Sequence, residues 1–181
     1  MRKSTKVNLE EKTVEKQILR IGKWKHQAAP NGILEVTSDY IKQLADNFKL
    51  TNSPVPVYRG HRSNDEVEAN PDLLVTKNIE ELVARDDGLY AKMKLDSKEL
   101  ETYNDVSASI VPEYIDHETN ESRGPVLNHI AFVMNPFIKG LKPFTSLSDS
   151  KQSYSIFLSE ISMDEQETKP VVTEVEVKEE V

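Results

Sequence analysis

The chain has 181 residues, a net charge of −8, a sequence pI of about 5.1 and a mean hydropathy of −0.56. That charge matches phosphate backbones poorly and argues against nucleic acid as a partner, and no apolar run reaches the ~18 residues a membrane helix needs. With no cysteine in the sequence, disulfides, thiolate nucleophiles and Cys-based zinc sites are excluded.

Residues 1–16 are rich in charge, show no period and lack the apolar stretch of a signal peptide, so they read as a mobile lead. Gln17 to Trp24, QILRIGKW, alternates as a first strand, and the Ala-Pro-Asn-Gly run up to Gly32 reads as loop. The clearest helix follows. Thr37 or Ser38 can accept a free N–H of the first turn, Asp39 sits at the positive end of the dipole, and Ile41, Leu44, Ala45 and Phe48 define one buried face. Thr51 to Pro54 ends it. Val55 to Arg59 is a short strand, which Pro56 assigns to a sheet edge because proline cannot donate to a ladder.

Gly60-His61-Arg62 comes directly after that strand, and Ser63 to Asp72 reads as a mobile polar loop. Leu82 to Arg85, the turn Asp86-Asp87-Gly88 and the alternating Leu89, Ala91, Met93 and Leu95 form a hairpin, with the glycine supplying a positive φ. Ser97 to Tyr103 fits a single helical turn capped by Ser97. Two long β-runs then follow, Val106 to Ile115 and Val126 to Met134, joined by a polar loop marked by Gly124-Pro125. A proline-rich close spans Pro136 to Leu147. Past Ser159, eight acidic residues face two lysines, which reads as a solvated, disordered tail.

Six or seven strands with one firm helix, not interleaved, point to an α+β, mostly β fold. The expected form is a mixed or antiparallel sheet, or a small β-barrel, flanked by a few helices. The expected division is a lead over 1–16, a folded domain over 17–147 and an acidic tail, or the start of a further region, over 148–181.

Of the chemistry-bearing residues, the four histidines are the most restrictive. His117 lies in a polar turn and His26 in a loop beside Lys25. His61 follows Gly60 at a strand end, where a ring can project into a cleft, and His129 lies on an apolar strand between Leu127 and Ile130. Ser107 and Ser109 alternate with Val106, Ala108 and Ile110. A serine is a weak nucleophile unless a base stands within hydrogen-bond reach, so Ser107 or Ser109 with His61 and His129 forms a candidate serine-protease site. Two other uses of these residues exist. Serines at strand spacing can simply face solvent, and the two histidines could bind zinc with Asp65 or Glu66, although no HExxH spacing is present.

The segments ILRIGKW, SDYIKQLADNF, PVPVYRGH, RDDGLYAKMKL, VSASIVPEY and GPVLNHIAFVMNP come in an order that resembles the phage prohead, or capsid maturation, proteases. The resemblance is to the Mu-type protease/scaffold family, related to herpesvirus assemblin, and covers residues 17 to 146. It implies a β-barrel flanked by helices, with Ser107 as nucleophile (Ser109 as the alternative), His61 as general base and His129 as the third member. It further implies scaffolding and major capsid proteins as substrates, cleavage of the enzyme's own chain, self-association, no cofactor and a location inside the assembling procapsid in the host cytoplasm. The paired arginines that follow the third histidine in assemblins are absent, with Asn135-Pro136 nearby instead. Backbone N–H groups or Arg123 are then the candidate oxyanion donors.

Overall fold

The computed structural model describes residues 11–27 and 29–147. The first ten residues of the lead and the acidic stretch 148–181 lie outside the described residues. The described residues form ten strands and three α-helices: β1 (Glu11–Arg20), β2 (Gly22–Lys25), β3 (Ile33–Val36), α1 (Ser38–Thr51), β4 (Val57–Arg59), α2 (Asn64–Ala69), β5 (Leu74–Thr76), β6 (Glu81–Arg85), β7 (Gly88–Asp96), α3 (Ser97–Thr102), β8 (Asp105–Ile115), β9 (Ser122–Val133) and β10 (Thr145–Ser146). The protein is α+β and mostly β. Among the described residues the ladders form two four-stranded sheets, ordered β10-β1-β7-β6 and β5-β4-β9-β8, and a separate β2-β3 pair. None of the three closes on itself.

The first sheet rests on strict alternation in β7. Leu89, Ala91, Met93 and Leu95 are all at most 2% exposed and face the core. The turn at Asp86-Asp87 sets β6 against β7, and Gly88 pairs with Arg20 and Arg85. A Cβ at Gly88 would come within 2.1 Å of the Leu19 carbonyl, so the glycine allows close backbone approach rather than serving the turn alone. β1 starts at Glu11, six residues before the expected strand and inside the stretch read as a lead, and pairs with β7 from Glu11 onwards. The expected strand then breaks at Ile21, and β2 leaves from Gly22 to pair with β3.

α1 forms as its sequence dictates. Thr37 accepts from the Tyr40 N–H, Asn52 ends the helix in the left-handed region, and Ile41, Leu44 and Ala45 are buried. Asn47, also buried, donates to the Arg123 and Pro125 carbonyls and ties the helix to β9. The apolar residues of α1 and of both four-stranded sheets feed one core, including Val14, Leu44, Leu89, Val106, Ile130 and Phe132.

The second sheet departs from expectation in three places. β4 is interior, hydrogen-bonded to β5 on one side and β9 on the other, and its pairing with β9 is parallel. Pro56 fits there because it lies just before the strand and takes part as an acceptor, from the Ile130 N–H. The expected mobile loop over Ser63 to Asp72 holds α2. Ser63 and Glu66 cap it reciprocally, each side chain accepting from the other's backbone N–H. α3 is capped by Asp96, one residue before the expected Ser97. The buried Glu99 on α3 pairs with Arg59, whose guanidinium also donates to the Asp72 carbonyl, so the outer side of β4 is fixed to α3 and to the turn before β5.

Candidate active site

Register places the candidate residues on the second sheet. In β8, Ser107 stands opposite Ala131 and Ser109 opposite His129 of β9. In β4, Tyr58 stands opposite Ala131. Directly opposed residues share a face, so Ser107, Ser109, His129, Ala131 and Tyr58 lie on one side of the sheet. Val106, Ile130 and Phe132 point to the other side, into the core. Ala131 puts only a methyl between Ser107 and Tyr58.

His61 reaches this face through a turn. The Gly60 N–H donates to the Phe132 carbonyl, prolonging the β4–β9 ladder by one bond, and Gly60 has φ +81°, a region that side chains enter at a cost. The chain then folds back and sets the His61 ring against that of His129. His61 Nδ1 lies 3.1 Å from His129 Nε2, with ring centroids 5.3 Å apart. The Tyr58 ring also packs against His129, at 5.2 Å, and its hydroxyl meets Asn64 Oδ1 on α2.

His129 is 7% exposed. Burial, and then repulsion from a charged His61, push its pKa down to about 4. His61, at the surface, is also lowered by partial desolvation. Near neutral pH both rings are therefore uncharged, and the contact between them is one N–H···N bond.

His61, Ser107 and Ser109 all line a groove of about 590 Å³. Its walls include Ile18 and Leu19 of β1, Tyr40 of α1, Phe137 and the β8 segment from Val106 to Ile110. β8 is the outer strand of its sheet, so its unpaired edge borders this groove. His129 lies behind His61, against a second groove lined by Pro54, Tyr58, Asn64 and Asn128. Among the described residues, neither serine hydroxyl is hydrogen-bonded to His61.

The other candidates divide. His26 lines the same groove as His61 and the two serines, with its ring edge-on to Phe137 at 4.7 Å. His117 packs edge-on against Tyr114. Glu66 is committed to the α2 cap and to Arg62, and no group of three or more His, Asp or Glu among the described residues is arranged to share a metal ion. Arg123 binds Asp116 through Nε at 3.3 Å and a terminal nitrogen at 3.0 Å. It lies eight positions from Ala131 along β9, roughly 25 Å at strand rise, too far to serve as an oxyanion donor.

One site residue escaped sequence reasoning. Asn128 Nδ2 lies 3.2 Å from His129 Nδ1, so both nitrogens of His129 are engaged. The register steps from Ser109↔His129 to Ile110↔Leu127, which leaves Asn128 as the unpaired residue of a bulge. The bulge brings Asn128 beside His129 and turns Leu127 into the core. Comparison with protein-family models, curated proteins and solved structures finds no match to this chain.

Proposed function

We propose that the protein is a serine endopeptidase of the prohead maturation type, with Ser107 as nucleophile and His61 as general base. The supporting observation is the contact of His61 Nδ1 with His129 Nε2 at 3.1 Å, which leaves Nε2 as the nitrogen not engaged by His129, on a ring lining the groove that Ser107 also lines. In this reading His61 takes the proton from Ser107 as Oγ attacks a peptide carbonyl, then passes it to the leaving amine. Water hydrolyses the resulting acyl-enzyme by the same route. His129 accepts the His61 Nδ1–H and steadies the imidazolium. Being neutral, it does so less strongly than a carboxylate would, which suits a slow enzyme acting once in an assembling shell.

The unpaired edge of β8 can hydrogen-bond an extended substrate segment beside Ser107. With Arg123 out of reach, the oxyanion falls to backbone N–H groups. The reading carries with it the family's barrel, for which the two four-stranded sheets around one core supply the strands. It also carries scaffolding protein, major capsid protein and the enzyme's own chain as substrates, self-association, and a place inside the procapsid in the host cytoplasm.

A second reading, a non-catalytic capsid-assembly or scaffold-binding module, is favoured in that neither serine hydroxyl bonds His61 among the described residues. Incubation with scaffolding and capsid protein, followed by mass spectrometry, separates the two. The peptidase reading expects defined fragments and fluorophosphonate labelling at Ser107, both lost in Ser107→Ala and kept in Ser109→Ala. Processing by Ser107→Ala at the wild-type rate, or no acylated serine in the wild type, would sink it.

A further inference from the structure

A neutral imidazole has one N–H and one lone pair. Along the chain Asn128–His129–His61 each contact therefore fixes the next. As arranged, Asn128 Nδ2 donates to His129 Nδ1 at 3.2 Å. The His129 proton then sits on Nε2 and is donated to His61 Nδ1 at 3.1 Å. His61 must in turn carry its own proton on Nε2, the nitrogen not engaged by His129. In that tautomer it cannot accept a proton from serine.

A half-turn of the Asn128 amide reverses every step. Oδ1 accepts from His129 Nδ1–H, His129 Nε2 accepts from His61 Nδ1–H, and His61 Nε2 presents a lone pair to Ser107. The two ends of the amide are close in size and Asn128 is exposed, so the turn is sterically open. The depressed pKa values of both histidines keep the rings neutral, the condition under which tautomer rather than charge decides.

We propose that Asn128 is a positioning residue that sets the proton direction of the His61–His129 pair, with the arrangement seen here as the idle state and the turned amide as the working one. The proposal rests on the peptidase reading for its consequence in catalysis, but not for the tautomers themselves. It assigns a second task to the bulge in β9, besides turning Leu127 into the core.

The test is long-range ¹H–¹⁵N correlation of the histidine rings in the full-length protein near neutral pH, beside cleavage kinetics. In the wild type, His61 and His129 are expected to be protonated at Nε2. In Asn128→Asp, whose carboxylate only accepts, both are expected to move to Nδ1–H. A bias worth one hydrogen bond is about tenfold in population, so kcat is expected to rise by about that factor with KM unchanged. Asn128→Ala should remove the bias and leave mixed tautomers. A wild-type spectrum with His61 already protonated at Nδ1, or an Asn128→Asp spectrum identical to wild type, overturns the proposal. Tautomers that move as expected in a protein that neither cleaves nor labels support the control by Asn128 and overturn the peptidase reading instead.

Discussion

The two four-stranded sheets both bury polar side chains, but they satisfy them differently. In β1, Lys16 and Gln17 are at most 1% exposed. Lys16 donates to the Asn104 and Lys142 carbonyls, and Gln17 donates to the Asp87 carbonyl and accepts from the Lys142 N–H. Their main partners are backbone groups, which do not titrate and cannot move without moving the chain. In β9, His129 is held by another imidazole and by an amide, groups that can exchange donor and acceptor roles. Buried polarity tied to backbone is scaffold, whereas buried polarity tied to reversible side chains can do chemistry.

The sharpest way to break this contrast is Lys16→Ala. It leaves a void and two carbonyls without their donor, an expected loss of about 3–4 kcal/mol in denaturant unfolding. On the proposed peptidase reading, cleavage per folded molecule should be unchanged. If activity falls further than the folded fraction, the two sheets are not separable as scaffold and site.

The next effect comes from His129. Its folded pKa of about 4 lies below the ordinary 6.5, so between those values the unfolded chain binds more protons than the native one. Stability should be full above pH 6.5 and fall as the pH drops towards 4, by an amount on the order of 3 kcal/mol. His129→Gln should flatten that dependence in urea titrations across the window and, on the proposed peptidase reading, lower cleavage. An unchanged slope would mean that His129 titrates as an ordinary surface imidazole.

The smallest expected effect is Ser63→Ala. Breaking the cap of α2 should cost about 1 kcal/mol locally, read as faster amide exchange over 64–70. It should also weaken the Tyr58–Asn64 contact behind His129. Exchange at the wild-type rate would show that α2 is held by its packing instead.

Legibility in the sequence followed the range of the interactions. α1 and the β6–β7 hairpin rest on local periodicity and turn chemistry, and both stand close to where those signals put them. The cap of α2 was visible in Ser63-Asn-Asp-Glu66, but the charge of the segment obscured it. The interior place of β4 was hidden because Pro56 suggests an edge unless one knows that its carbonyl, not its nitrogen, is used. His61 and His129 could be named from their neighbours, and the structure sets them in contact. Asn128 could not be named, because a bulge is a property of register between two strands and leaves no mark on either one alone.

The parallel pairing of β4 with β9 has a consequence for assembly. The β6–β7 hairpin closes over Asp86 and Asp87, and β8–β9 over the short segment 116–121. The two imidazoles are 68 residues apart in sequence and meet only once β4 docks on β9. Loop closure costs more entropy over longer separations, and contacts of this kind slow folding. A nascent or partly folded chain holding only its hairpins has no imidazole pair, so topology itself withholds that contact until β4 has docked on β9.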